Sequence, residues 1–487
     1  MYMKGVNSFV FFVALIAGFG GFLFGFDSSV IADVKDQVIA QLSLSEWQWS
    51  QVVSISLLGC ILGIPLSGFF ADKVSRRHLL KIVALGFIFG TTLCTLTNNL
   101  ALLLTGRFII GICIGIASYV APLFIAEIAP PDKRGALVLI NGLTITFGQA
   151  IAYLIGYFIH DYSASSWRFL FAIGSIPALI LFTGMYLVPH SPRWIMEKYG
   201  ANETERTLKR IRPYGYNIQN ELEEISDNLN KASISYKVLF KSPIIFVLAV
   251  GVVLGIFQQF SGINAVMYYG PVIFESAGFY PVKNAILATF CMGTVNFLFT
   301  VLTLFYIDKL GRRFLLLSGT LLAAFSLFVT GLLFTIAVPG QKIWILGSLS
   351  FYVMGYCISV GSLFWVLISE IYPLAVRGFA MSIATVTQWG ANFVVSLSFL
   401  AIYQNLGQML TFALFGSLCL LAFFFIYHFV PETTGISLEQ IEKNLMMGKK
   451  VKDIGQQLST NKLLEQQPEW SDGQDPIKTN QFELARD

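Results

Sequence analysis

The run Gln258-Gln259-Phe260-Ser261-Gly262-Ile263-Asn264-Ala265-Val266-Met267-Tyr268-Tyr269-Gly270-Pro271 sets three amides and two phenols into an apolar stretch that begins near Pro243. At about 20 residues per crossing, that stretch is long enough to span a bilayer. An unpartnered amide in hydrocarbon costs several kcal/mol, so this face must meet protein or water rather than lipid. Amides both donate and accept hydrogen bonds, which suits a neutral ligand rich in hydroxyls. Gly262, Gly270 and Pro271 predict a bent or broken helix. The plainer alternative is that these groups only join helices.

Two further runs are of the same kind. Gly361-Ser362-Leu363-Phe364-Trp365 and Thr387-Gln388-Trp389-Gly390-Ala391-Asn392 bring two indoles and two amides into apolar segments. Indole faces fit the C–H side of a ring whose hydroxyls the amides take, although tryptophans also gather at membrane interfaces. Asp27 and Arg107 are opposite charges inside two different apolar segments. A carboxylate that pairs with a guanidinium in one conformation and loses it in another takes up and releases a proton. The alternative is a static pair that ties two helices.

The elements that must hold these groups are membrane helices. Of the 487 residues 55% are hydrophobic and 12% charged, and the mean hydropathy is +0.69. A soluble chain of this size carries about a quarter charged residues. Apolar spans are predicted at 9–31, 51–71, 78–98, 101–125, 135–159, 168–188, 243–274, 284–306, 313–336, 342–368, 378–402 and 407–430. The first is too long for a cleaved leader and runs straight into Phe26-Asp27. The expected fold class is thus an all-α membrane protein of twelve helices. The six cysteines and four histidines show no metal or disulfide spacing, and no phosphate loop or nucleophile elbow is present. Catalysis, a metal and a bound cofactor are therefore not expected, and neither is a nucleic-acid partner. A monomer in the lipid bilayer is.

Lys73, Arg76, Arg77 and Lys81 follow span 2; Lys133 and Arg134 follow span 4; Lys309, Arg312 and Arg313 follow span 8; Arg377 follows span 10. The loops of the other face are poorer in Lys and Arg, which predicts both termini in the cytoplasm. The same loops disclose a repeat. Ala71-Asp72-Lys73-Val74-Ser75-Arg76-Arg77 returns as Ile307-Asp308-Lys309-Leu310-Gly311-Arg312-Arg313. Ala126-Glu127-Ile128 through Arg134-Gly135 returns as Ser369-Glu370-Ile371 through Arg377-Gly378. Two parallel six-helix halves follow, 1–189 and 243–430, with a ligand expected at their interface. A helical cytoplasmic linker is expected at 190–242. A short helix should open 431–487, with the polar tail beyond about Gly448 left unpacked. Basic residues alone record topology, but the carboxylates do not. Asp72, Arg76, Arg77, Glu127 and Arg134, with Asp308, Arg312, Arg313, Glu370 and Arg377, are therefore read as a cytoplasmic gate that latches the halves.

From about residue 8 to 445 the chain resembles the sugar porters of the major facilitator superfamily, which include proton-driven xylose and galactose symporters, glucose facilitators and inositol transporters. The motifs that carry the resemblance are Gly25-Phe26-Asp27, DKVSRR, Gly106-Arg107-Phe108, the two RG loops, Ser191-Pro192-Arg193-Trp194, QQFSGIN, DKLGRR and Pro431-Glu432-Thr433-Thr434-Gly435. The resemblance implies sugar contacts at Gln149, Gln258, Gln259, Asn264, Tyr268, Asn296, Trp365, Gln388, Trp389 and Asn392, with Phe24 lining the cavity. It implies proton coupling through Asp27 and Arg107, since uncoupled members commonly carry a neutral residue in place of the acid. The function so implied is alternating-access import of a monosaccharide or cyclic polyol (hexose, pentose or myo-inositol) with a proton, in the cell (inner) membrane. Uncoupled facilitation and a non-transporting sugar sensor are the rivals.

Four positions depart from the pattern. Gly142 stands where many sugar porters have a sugar-binding glutamine, and the surrounding run is more like that of certain inositol transporters. Ser362 replaces a proline, which changes what can bend span 10. His190 replaces a glutamate of the inner latch. Gly174 replaces a carboxylate that supports the acid–arginine pair in a xylose symporter.

Overall fold

In the computed structural model the described residues are 7–456, apart from 131–132, 214, 231–241, 374–375 and 437. The side chains of 69, 71, 72, 228–230, 308 and 439 also lie outside the description, so the expectations for Asp72 and Asp308 fall outside the described residues. Every long element is a helix. The first half consists of Ser8–Asp33, Glu46–Lys73, Arg76–Leu96, Leu100–Ile128, Arg134–Ile159, and the pair Ser166–Ile173 and Ser175–Leu187, which meet at Gly174. These are spans 1 to 6.

Span 7 is broken into Ile244–Phe260, Ile263–Tyr268 and Gly270–Ser276. Spans 8 and 9 are Val282–Leu310 and Arg312–Leu333. Span 10 runs through Gln341–Tyr356 and Ser362–Ile371, joined by a wider π turn at Cys357–Gly361. The helix Arg377–Phe429 is too long for one crossing at 1.5 Å per residue. Its helical geometry fails at Gly407 (φ 77°, ψ 171°), which makes it spans 11 and 12 of the twelve.

Glycine brings the backbones together. At Gly25 an added Cβ would stand 1.9 Å from the Ile145 carbonyl oxygen, so spans 1 and 5 touch main chain to main chain. Without a hydrophobic drive between helices in lipid, such close packing is what holds them. Across the seam between the halves, span 5 packs along span 8 and span 2 along span 11.

The repeat read from the sequence has a matching geometry at the end that carries both RR motifs, here called the basic end. Arg76 pairs with Glu127 at 3.0 Å, and Arg312 pairs with Glu370 at 3.2 Å. Arg77 donates to the Met185 and Tyr186 carbonyls at the end of span 6, and Arg313 donates to the Tyr427 carbonyl at the end of span 12. Each places a cation on the free carbonyls of a helix C-terminus.

The linker forms the helices Pro192–Tyr199, Ala201–Ile211 and Ile218–Asn230. Arg212 fastens it to span 4 by donating to the Ile128 and Ala129 carbonyls. Beyond the helix Leu438–Met446 the chain does not detach at Gly448 as expected. Asn444 donates to the Ile454 and Gln456 carbonyls, and Ile454 is fully buried. The packed body thus runs several residues further. The rest of the tail, 457–487, lies outside the described residues.

Candidate functional site

Span 7 breaks where its polar run predicts. Gly262 has φ 89°, a conformation that L side chains resist, and it turns the helix between Phe260 and Ile263. The break lets both glutamines point into the second half. Gln258 donates to the Val360 and Gly361 carbonyls at the end of the π turn of span 10 (3.0 and 3.4 Å) and accepts from Gln388 at 3.0 Å. Gln259 accepts from Asn264 at 2.7 Å. The amides expected to stand free for a ligand therefore partner one another in this conformation.

Other predicted contacts lie on the seam itself. Asn296 of span 8 donates to Gln149 of span 5 at 3.1 Å. The Phe24 ring of span 1 meets the Trp389 ring of span 11 at 5.1 Å. Phe24 and Tyr268 also line a small cavity with Asp27, Ser28, Ser56 and Arg107, with room for about one water. Asn392 is buried on span 11, where it accepts from Ser396. Trp365 stands apart: it is 42% exposed, with its ring against Phe364.

Three of these buried groups are not fully satisfied. Among the described residues Gln388 Oε1 and Trp389 Nε1 have no hydrogen-bond partner, and the Tyr268 hydroxyl, beside Asn392 and Ser28, makes no well-formed bond. Buried polar atoms left in this way are rare and call for a polar partner. A phenol, an amide oxygen and an indole N–H together offer both donors and acceptors, as a polyhydroxylated ring needs. At Gly142 an added Cβ would meet nothing within 4 Å, so that position has room for a longer side chain.

Asp27 and Arg107 do meet. Arg107 donates to Asp27 at 2.5 Å, to Ser56 Oγ at 2.9 Å and to the Val52 carbonyl at 3.3 Å, with both charged residues buried. The pair ties span 1 to spans 2 and 4 and lies inside the first half. Gly174 lies against the Phe26 ring, next to Asp27 in sequence.

The described ion pairs of the expected gate residues, Arg76 with Glu127 and Arg312 with Glu370, lie within their own halves. Besides the pairs above, Glu432 of the PETTG motif accepts from the Arg312 and Arg313 backbone N–H groups. Burial opposes the charge on Glu432, but the Thr434 hydroxyl and these N–H groups outweigh it and hold the carboxyl below its usual range. Arg377 donates to the Tyr372 carbonyl, and Arg134 is exposed. His190 bonds Ser75 at 2.6 Å and stacks on Trp194; burial, then Arg77, His78 and Lys81, push it down to about 4.

The far end also joins the halves. Lys283 of span 8 pairs with Asp161 at 3.1 Å and lies 5.1 Å from the Tyr157 ring centre, and Tyr153 donates to the Met267 carbonyl at 2.8 Å. None of these stood out in the sequence, because single charges near span ends and an isolated tyrosine carry no spacing signal.

The comparisons with known proteins agree with this geometry. Residues 13–445 match the family model "Sugar (and other) transporter". The galactose-proton symporter of Escherichia coli K12 is 34% identical over 456 residues, covering 92% of this chain and 97% of its own. The D-xylose-proton symporter of the same strain is 36% identical, covering 90% and 96%. The xylose transporter of Escherichia coli, solved in an inward-open conformation, superposes with a TM-score of 0.77 at 34% identity, over 89% of this chain and 99% of that one. This chain is therefore a multi-pass membrane transporter, not an enzyme, and belongs to the sugar transporter family of the major facilitator superfamily.

Proposed function

We propose that the protein imports a monosaccharide or cyclic polyol together with a proton, by alternating access between its two halves. The observation that carries the sugar site is the trio of incompletely satisfied buried atoms on Tyr268, Gln388 and Trp389, set where Phe24 of the other half closes over Trp389. The hydroxyls of a ring satisfy all three, and the indole supplies an apolar face. Gln258, Gln259, Asn264 and Asn392 exchange their mutual bonds for bonds to the ligand, helped by the breaks in spans 7 and 10. Gln149 and Asn296 sense the ligand from opposite halves.

Coupling is assigned to Asp27 and Arg107. When the pair is closed the carboxylate is charged; when the halves shift and the guanidinium leaves, the carboxyl takes a proton. Relatives whose names state proton symport of galactose and xylose support this reading. The basic end is assigned to the cytoplasm of the cell (inner) membrane, and the far end, where Lys283 meets Asp161, to the outside.

The test is binding of a panel of hexoses, pentoses and myo-inositol by the purified protein, with Gln388→Ala and Trp389→Ala compared. Each loss weakens binding of the preferred sugar by about tenfold, the equivalent of 1.4 kcal/mol. Unchanged affinity in both variants would remove the seam from the site.

A further inference from the structure

Span 1 carries a second buried acid that neither the proposed sugar site nor its coupling pair uses. Asp33 is its last residue, 6% exposed, and neither carboxyl oxygen has a hydrogen-bond partner among the described residues. The fold makes room for it. At Gly156 of span 5 an added Cβ would fall 2.0 Å from Asp33 Oδ2, so only glycine admits the carboxyl. The acid lines a cavity with Gln37, His160, Ser166 and Trp167, with room for about one water.

The polar groups around it are committed elsewhere. Gln37 donates to the His160 carbonyl and accepts from the Trp167 backbone N–H. Ser166 Oγ accepts from the Ser163 N–H, and the Tyr153 hydroxyl goes to Met267. Of the nearby cations, Lys35 pairs with Glu46, and Arg168 donates to the Thr95 carbonyl and to Asn98. His160, at the end of span 5, is the other titratable residue among those that line the cavity.

An unpaired carboxylate in such surroundings costs several kcal/mol, and the group neutralises itself instead. A metal or alkali cation would need several more oxygen ligands, and the cavity offers one carboxyl. We propose that Asp33 is a second proton-binding site, filled in this far-end-closed conformation. The contacts beside it (Tyr153 to Met267, Lys283 to Asp161) are the ones that must part when that end opens. Opening wets the carboxyl and releases its proton to the solution on that side, so acid on that side favours closure. The role in the cycle rests on the proposed alternating access; the bound proton does not.

Infrared difference spectroscopy of the purified protein in lipid vesicles tests this. The parent shows a protonated-carboxyl carbonyl band near neutral pH, which persists in Asp27→Asn and is lost in Asp33→Asn. Absence of that band from the parent, its survival in Asp33→Asn, or its removal by sodium at constant pH would overturn the assignment. Because the parent measurement alone can refute it, a variant that fails to fold leaves the proposal falsifiable. No flux enters the measurement, so the outcome is separate from that of any transport assay. The cycle role is read by labelled-sugar exchange at varied pH on the far side. Exchange falls as that pH rises in the parent and falls less steeply in Asp33→Asn, where Asp27 alone still titrates; a parent-like slope in the variant would reject release to that side.

Discussion

Each buried charge at the centre of the first half is matched to its surroundings in a different way. Arg107 spends its guanidinium on Asp27, Ser56 and Val52, so its pairing is nearly complete. Removing the acid leaves an uncompensated buried cation, whereas an isosteric amide keeps a hydrogen-bond acceptor without the charge. Asp27→Asn is accordingly expected to retain sugar exchange between equal solutions and to lose accumulation against a gradient. Accumulation at the parental level in that variant would remove Asp27 from the coupling step. At the basic end His190 makes a pH prediction. Its folded value of about 4 lies below the ordinary 6.5, so the unfolded chain takes up a proton first as acid is added. Stability is full above about 6.5 and falls between there and about 4. His190→Gln flattens thermal melting temperature against pH across that window; an unchanged slope would contradict the assignment.

Among the elements, spans 7 and 10 carry the bends, and only one of them was legible. Gly262 and Pro271 are visible punctuation, and span 7 breaks beside them. In span 10 the expected proline is Ser362, and the irregular turn comes just before it at Cys357–Gly361, with Ser359 outside helical geometry. Nothing in Cys-Ile-Ser-Val-Gly signals this, because the distortion is held by a partner about 100 residues away, Gln258. Gly262→Ala places a side chain at φ 89° and 2.8 Å from the Phe415 ring. It is expected to cost at least about 1–2 kcal/mol in unfolding experiments. Gly142→Gln meets open space, so it is expected to fold normally and to reorder the sugar panel; an unchanged ranking would remove Gly142 from the selectivity argument.

Over the whole molecule, composition and the repeated loop motifs disclosed the twelve spans and two halves, since hydropathy and duplication are written along the chain. Which end is closed was not legible. The ion pairs Arg76–Glu127 and Arg312–Glu370 lie within their halves, while the cross-seam pair joins Lys283 at the start of span 8 to Asp161, over 100 residues away. That pair is partly exposed and contributes less than about 1 kcal/mol. Lys283→Ala should shift the conformational balance toward opening at that end by about fivefold or less. Distances between spin labels on the two halves read this directly, and an unchanged distribution would deny the pair a gating role. The most direct test of proton-driven sugar carriage is uptake into vesicles containing the purified protein under an imposed inward proton gradient. The preferred sugar should accumulate above its outside concentration and drain when a protonophore is added. Uptake that never exceeds the outside concentration, or that ignores the protonophore, would contradict it.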